Sequence, residues 1–164
     1  MKILAIETSC DDTGVTIMEV HPARSGRGKQ ETLSGASFKV LADASHSQIK
    51  AHIPYGGVYP ALAKREHQKN LPILLDQVFK KIKYTASARQ GLAVKSPVDL
   101  IAVTYGPGLE MCLWEGITFA KKLAKKWNVP VMPTDHMEGH IMSAFGKINK
   151  NPKGKQASYG AGKK

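Results

Sequence analysis

The order of apolar runs along this chain limits what it can fold into. Residues 2–6 and 15–20 are two short runs of β-forming residues. The polar segment between them ends in Gly14, so the pair predicts a β-hairpin. A third strand is expected at about 36–43, after a loop at 21–35 that is rich in Gly, Ser and basic residues. The chain is therefore expected to begin with strands and no helix.

A long helix is predicted over residues 60–84. Apolar side chains recur there at the spacing of a single helical face. They are Leu71, Leu74, Leu75, Val78, Phe79 and Ile82. Pro72 falls inside the pattern, and proline removes a backbone donor, so we expect it to start a second helix or to kink a long one.

The rest of the chain alternates strand and helix. After a polar linker at 85–97, a buried strand is predicted at 98–104, followed by a turn at 105–108 and a helix at 109–127. The inward positions of that helix are Leu113, Ile117, Ala120, Leu123, Ala124 and Trp127. A short strand at 129–133 and a last helix at 135–145 follow, and the pattern then stops.

This β-β-β-α-β-α-β-α order implies an antiparallel start joined to a parallel sheet. It predicts an α/β, ribonuclease-H-like lobe of the kind that occurs twice in actin-like ATPases (the ASKHA class), with a mixed sheet and flanking helices. A chain of 164 residues with 42% hydrophobic residues suits one such domain. We expect residues 1–145 to form the lobe and residues 146–164 to be a disordered tail.

Charge favours a polyanionic partner. The chain has a formal net charge of +11, and the segment 146–164 holds six lysines and no acid. That tail is either a solvated end or a contact to a phosphate backbone. Basic residues and aromatic residues also alternate between His46 and His67. This pattern fits a nucleic-acid-binding surface, and it also fits an ordinary junction between a loop and a helix.

The remaining composition argues for a cytoplasmic protein. No apolar run is long enough to span a bilayer, and the N-terminus lacks the features of a secretory signal. Cys10 and Cys112 are too few for a disulfide framework, so both are expected to be buried thiols.

The turn between the first two strands could bind a phosphate and its metal. Ser9 and Thr13 offer hydroxyl donors, and backbone N–H groups in a tight turn form an anion site. Asp11 and Asp12 could orient Mg²⁺ or its waters. The alternative is an ordinary turn, capped by its own Asp and Ser side chains.

Gly106 and Gly108 lie immediately before a predicted helix. Backbone N–H groups at a helix N-terminus favour an anion, so these residues could contact a nucleotide phosphate. The alternative is a simple Gly-Pro-Gly connector.

His136 and His140 are four residues apart, so on a helix they share a face and could bind one metal ion. Glu138 lies two residues after His136 and would point away, which disfavours a metallopeptidase of the zinc type. Two histidines do not complete a metal site, so a third ligand must come from elsewhere. The alternative is a pair of ordinary histidines.

These segments, in this order, resemble the TsaD-like tRNA N6-adenosine threonylcarbamoyltransferases, formerly described as O-sialoglycoprotein endopeptidases. The stretches that carry the resemblance are ILAIETSCDDTGV, SQIKAHIPYGGVYPALAKREHQKNLP, VTYGPGL with FAKKLA, and DHMEGHI.

The resemblance implies that His136 and His140 bind one iron or zinc ion, with an aspartate of a second lobe as the third ligand. It implies that threonylcarbamoyl-AMP, or a Mg-nucleotide, sits between the lobes against Ser9, Thr13, Gly106 and Gly108. Asp11 and Asp12 are the candidate catalytic residues. The threonylcarbamoyl group would pass to N6 of adenosine 37 in tRNA, and TsaB-like and TsaE-like subunits would be partners.

This sequence departs from the family pattern after Phe145. The family continues there into a strand, a Ser-Gly-Gly-His segment and the second lobe, none of which these residues contain. We therefore expect either half of an enzyme that needs a separately encoded second lobe and is inactive alone, or a non-catalytic scaffold relative.

Overall fold

A computed structural model describes residues 1–21, 37–84 and 96–145. These residues form one five-stranded sheet with helices packed on it. In chain order the elements are β1 (Lys2–Glu7), β2 (Asp12–His21), β3 (Ser37–Ser47), α1 (Ile49–His52), a 3-10 turn (Ile53–Tyr55), α2 (Pro60–Lys81), β4 (Leu100–Gly106), α3 (Glu110–Trp127), β5 (Val131–Asp135) and α4 (His136–Phe145).

The sheet is mixed, and its strand order is β3-β2-β1-β4-β5. β1 pairs antiparallel with β2, and β2 pairs antiparallel with β3. β1 and β4 are parallel, as are β4 and β5. This topology confirms the ribonuclease-H-like lobe expected from the order of the elements.

One face of the sheet carries the hydrophobic core. Successive side chains of a strand point to opposite faces, so Leu4 and Ile6 of β1 turn to one side and Ile3 and Ala5 to the other. On the core side, α2 packs against β2 and β3, while α3 packs against β4 and β1. Fully burying one aliphatic side chain there contributes about 1.5–3 kcal/mol.

The predicted inward faces of both long helices are confirmed. On α2 and just after it, Leu71, Leu74 and Val78 are buried, and Leu75, Phe79 and Ile82 are partly buried against the core. On α3, Leu113, Ala120, Leu123 and Trp127 are buried, and Ile117 and Ala124 pack against the core.

Several boundaries differ from expectation. β3 runs on to Ser47 because its residues after Asp43 keep pairing with the start of β2. α2 passes through Pro72 as one helix, so no second helix starts there. Pro72 lies on the exposed side, while Leu71 and Leu74 on either side of it are buried and hold the helix to the sheet.

Some expectations fall on residues that the structure does not describe. They are nearly all of the loop expected at 21–35, most of the linker expected at 85–97, and the tail expected at 146–164. Within the described ranges, no helix has both the length and the apolar character needed to cross a membrane.

The start of α3 lies in close contact with the turn after β1. The hydroxyl of Thr8 donates a hydrogen bond to the carbonyl of Cys112 at 2.9 Å, and both residues are fully buried. A Cβ atom added to Gly116 would lie 2.4 Å from Thr8 Oγ1, well inside van der Waals contact. Gly116 therefore permits the approach of helix and turn.

We expect Gly116→Ala to destabilise the fold by about 1–3 kcal/mol, because the added methyl overpacks a buried contact. The check is the urea midpoint of unfolding, with Gly139→Ala as the control. Gly139 is also helical, but its added Cβ would meet no atom within 4 Å. Equal midpoints for the two variants would contradict the close-contact argument.

Candidate functional site

Polar groups converge at one edge of the sheet. β1, β4 and β5 are parallel, so their carboxyl ends meet there. Glu7 ends β1, Thr104 lies near the end of β4, and His136 follows β5 directly. In open α/β sheets this edge is where ligands bind. The strand topology thus brings together residues that are distant in sequence, with 97 positions between Glu7 and Thr104 and 129 between Glu7 and His136.

Glu7 is the centre of this group. Its Oε1 accepts a hydrogen bond from the Ser9 backbone N–H at 2.5 Å, and its Oε2 accepts one from the Thr104 hydroxyl. The same Oε2 lies 3.4 Å from His136 Nδ1. Burial raises the pKa of Glu7, but the hydrogen bonds from Ser9, Thr104 and His136 outweigh it and hold that pKa below its ordinary value. Glu7 is thus a carboxylate at neutral pH.

Helix α4 begins at the site and carries both histidines. Asp135 caps it, since its Oδ1 accepts from the backbone N–H groups of Met137 at 2.8 Å and Glu138 at 3.0 Å. This cap fixes where the first turn starts. His136 and His140, one turn apart, therefore project to the same side, and their Nε2 atoms are 3.0 Å apart.

The histidine pair has the geometry of half a metal site. Imidazole nitrogens bind zinc and iron, with metal–nitrogen distances of about 2.0–2.1 Å. Two nitrogens on one ion then lie roughly 3.0–3.4 Å apart, and the observed separation falls in that range. Among the residues that the structure describes, no group of three or more His, Cys, Asp or Glu side chains could hold a metal.

The structure brings Ser9 and Gly108 into this site. Ser9 is buried, and its hydroxyl oxygen lies 3.2 Å from His136 Nδ1. A Cβ on Gly108 would lie 2.5 Å from the Ser9 carbonyl oxygen, which accepts the Leu109 N–H at 2.7 Å. Gly106 ends β4 at the same edge.

Other predicted residues lie differently. Thr13 is fully buried, and its hydroxyl bonds to Nδ1 of His67 at 2.8 Å, so it faces the interior. Asp11 is half-buried and Asp12 is exposed, farther along the turn. Among the described residues, the hydrogen bonds and ion pairs of His136 and His140 involve Ser9, Glu7 and each other, and neither Asp11 nor Asp12 takes part in them.

Cysteine chemistry is disfavoured at this edge. Partial desolvation of the Cys10 thiol, together with a hydrogen bond to the Asp11 carboxylate, raises its pKa. Burial raises the pKa of Cys112 to about 11. Both groups are therefore protonated thiols at neutral pH and weak nucleophiles. The expectation that both are buried is wrong for Cys10, which is exposed.

A buried polar network supports the turn from beneath, and the sequence did not reveal it. His67 of α2 donates from Nε2 to the Cys10 carbonyl at 3.0 Å and accepts at Nδ1 from Thr13. The Gln48 amide nitrogen lies 3.3 Å from the same Nδ1, and its carbonyl accepts from His52 at 3.1 Å. The only signal of this network available in the sequence was that His67 falls on the face of the predicted helix that is expected to be buried.

The site opens into a groove of about 920 Å³ on the sheet face away from the core. His136, His140 and Glu7 line one end, and apolar residues of the sheet line the rest. These include Ile3, Ala5, Leu100, Ala102 and Met132.

Protonation of His67 is expected to weaken the fold at low pH. Burial lowers the pKa of His67, because it disfavours the imidazolium. The unfolded histidine has a pKa of about 6.5 and so takes up its proton at higher pH than the folded one. The stability that neutral His67 contributes is therefore complete above about pH 6.5 and is lost as the pH falls through the lower folded value.

This pH dependence is measured by urea unfolding of the wild type and His67→Gln between about pH 5 and 8. We expect His67→Gln to be less stable at neutral pH and to lose less stability on acidification. His46→Gln is the control, since His46 is exposed on β3 and should keep the wild-type slope. Parallel profiles for the wild type and His67→Gln would contradict the argument.

Comparison with known proteins gives a family match. A family model for the tRNA N6-adenosine threonylcarbamoyltransferase TsaD matches residues 39–157. The tRNA N6-adenosine threonylcarbamoyltransferase of Buchnera aphidicola subsp. Schizaphis graminum (strain Sg) is 41% identical over 143 residues. That match covers 87% of this chain but 35% of the relative, so the chain spans about a third of the relative's length.

The solved structures that match this chain do so at lower sequence identity. YeaZ from Pseudomonas aeruginosa matches with a TM-score of 0.46 and 20% identity, over 82% of this chain and 43% of its own. Thermus thermophilus RuvC in complex with a Holliday junction substrate matches with a TM-score of 0.48 and 11% identity, over 88% of this chain and 72% of its own.

Proposed function

Since the chain belongs to the tRNA N6-adenosine threonylcarbamoyltransferase family, we propose that it forms the metal-binding half of such an enzyme. In that reaction, threonylcarbamoyl-AMP donates its threonylcarbamoyl group to N6 of adenosine 37 in tRNA. The observation that carries the proposal is the convergence of His136 and His140, whose Nε2 atoms lie 3.0 Å apart at the carboxyl edge of the sheet.

His136 and His140 are the proposed ligands of one iron or zinc ion. When bound, the ion supplies a Lewis acid and a template for the phosphate of the adenylate. The two histidines project from the first turns of α4, a helix fixed at its start by the Asp135 cap. Their mutual orientation is thus set by the protein before any ion arrives.

The turn after β1 and the Gly106–Gly108 segment are the proposed nucleotide contacts. The Ser9 hydroxyl and the backbone before α3 face the same edge as the histidines, and a helix N-terminus favours an anion. Asp11 and Asp12 remain the candidate catalytic carboxylates, and their proposed role is to orient Mg²⁺ or its waters. Thr13 supports the turn through His67 and is left out of the contact set.

In the transfer itself, the N6 amine of adenosine attacks the carbamoyl carbon, the bond to the phosphate oxygen breaks, and AMP leaves. The chain's net charge of +11 suits contact with the tRNA backbone. A protein that acts on tRNA in this way would work in the cytoplasm. TsaB-like and TsaE-like subunits are the proposed further partners.

A second half is required for this proposal. The chain covers 35% of the matched relative, and the described residues supply two clustered ligands rather than three. We propose that a second lobe supplies the third ligand and the opposite wall of the cleft. The same two observations favour a second candidate, a non-catalytic scaffold protein that binds the partners of a complete transferase.

The first test is metal binding by the isolated chain. We expect weak binding of one Zn²⁺ by calorimetry, and a loss of at least about tenfold in affinity for His136→Ala and for His140→Ala, because each removes one of two ligands. His46→Ala is the matched control and should bind as the wild type does. An equal loss in all three variants would refute the assignment of the histidine pair.

The second test measures tRNA modification. The chain is mixed with tRNA, threonylcarbamoyl-AMP and the remaining portion of a full-length relative as a separate polypeptide. We expect modified adenosine only when both polypeptides are present, and none with His140→Ala. If the two polypeptides form a complex and the histidine pair holds its metal ion, but no adenosine is modified, the result would favour the scaffold function instead.

A further inference from the structure

His136 has two ring nitrogens, and only one of them can face a metal ion shared with His140. Nε2 points at His140, while Nδ1 points back into the protein, 3.2 Å from Ser9 Oγ and 3.4 Å from Glu7 Oε2. A neutral imidazole carries one proton, and whichever nitrogen holds it has no lone pair for a ligand bond. The tautomer of His136 therefore decides whether the pair can bind a metal.

The hydrogen bonds around Glu7 determine where that proton goes. An ionised carboxylate can only accept. Its two oxygens accept hydrogen bonds from the Ser9 N–H and the Thr104 hydroxyl. Toward His136 the carboxylate can likewise only accept, so Nδ1 of His136 must be the donor and must hold the proton. The Ser9 side chain also hydrogen-bonds to the Glu7 carboxylate. A hydroxyl that donates its proton to Glu7 can only accept from His136 Nδ1, so Ser9 leaves the proton on Nδ1.

We propose that Glu7 is a positioning residue that holds His136 as the Nδ1–H tautomer and so keeps the Nε2 lone pair directed at the metal position. Carboxylates that hold a ligand histidine in this way occur behind many metal sites. In the metal-free chain, His140 then donates its own Nε2–H to that lone pair, which accounts for the 3.0 Å contact. The proposal extends the proposed function, but its first test does not depend on it.

Replacing Glu7 with glutamine gives a sharp prediction. The Ser9 N–H requires an acceptor, so the amide oxygen of the variant takes the place of Oε1. Its NH₂ group then takes the place of Oε2 and donates to His136 Nδ1. The proton of His136 must move to Nε2, and the nitrogen that faces His140 loses its lone pair. A substitution that preserves shape thus inverts the tautomer.

The test is ¹⁵N NMR of the metal-free chain, treated with a chelator, at about pH 8, above the ordinary imidazole pKa of about 6.5. Long-range correlations distinguish protonated from unprotonated ring nitrogens, and His136→Gln assigns the signals. We expect Nδ1–H for His136 in the wild type and Nε2–H in Glu7→Gln. An Nε2–H tautomer in the wild type would overturn the proposal, even if the variant fails to fold.

The Ser9→Ala variant distinguishes the effect of the Ser9 hydroxyl on His136 Nδ1 from that of the Glu7 carboxylate. If the carboxylate controls the proton, this variant keeps the Nδ1–H tautomer of the wild type, because Glu7 remains in place. Inversion in Ser9→Ala with no change in Glu7→Gln would assign the role to the hydroxyl and refute the role of Glu7.

Metal affinity provides the second readout. Zn²⁺ titration should give an affinity about 10–100-fold lower for Glu7→Gln than for the wild type, as expected when a ligand's hydrogen-bond partner is lost. An unchanged affinity would contradict the proposal. If the wild type binds no metal but has the Nδ1–H tautomer, the proposed function fails while the positioning role of Glu7 stands.

Discussion

The parallel pairing of β1 with β4 and of β4 with β5 is the constraint on which the candidate site depends. Parallel strands end at the same edge, so Glu7, Thr104 and His136 meet although they are distant in sequence. A reversal of β4 would move Thr104 to the opposite end of the sheet and leave Glu7 without its donor. The pairing of the strands therefore determines which residues meet at the site, and the local sequence determines only which side chains they carry.

The turn after β1 is held from three directions, and this rigidity matters for its proposed role. α3 contacts it through the Leu109 N–H and the Cys112 carbonyl. α2 contacts it through His67, and the Gln48 N–H donates to the Asp11 carbonyl at 3.0 Å. Ser9 thus lies on a fixed frame, and a fixed frame loses little conformational freedom when it binds a ligand.

Much of the fold followed from periodicity. The order of the elements along the chain and the inward faces of α2 and α3 were predictable because apolar spacing reports directly on burial. The boundaries of β3 and the unbroken course of α2 through Pro72 were not, because neighbouring strands and flanking buried leucines outweigh local propensity. The histidine pair was predictable from its four-residue spacing, whereas Glu7 was not singled out. Its role comes from contacts with β4 and α4, and no spacing along the chain encodes those contacts.

The charges around the site connect the binding of the proposed nucleotide to the binding of the proposed metal ion. Glu7, Asp11 and Asp12 place three carboxylates on or beside the turn that is proposed to contact a phosphate. Alone, these charges oppose an anion, and they outweigh the partial positive charge of about half a unit at the start of α3. A divalent ion on His136 and His140 would offset two of the three charges. The nucleotide contacts proposed here therefore depend on bound cations, which are the ion on the histidine pair and the Mg²⁺ proposed at Asp11 and Asp12.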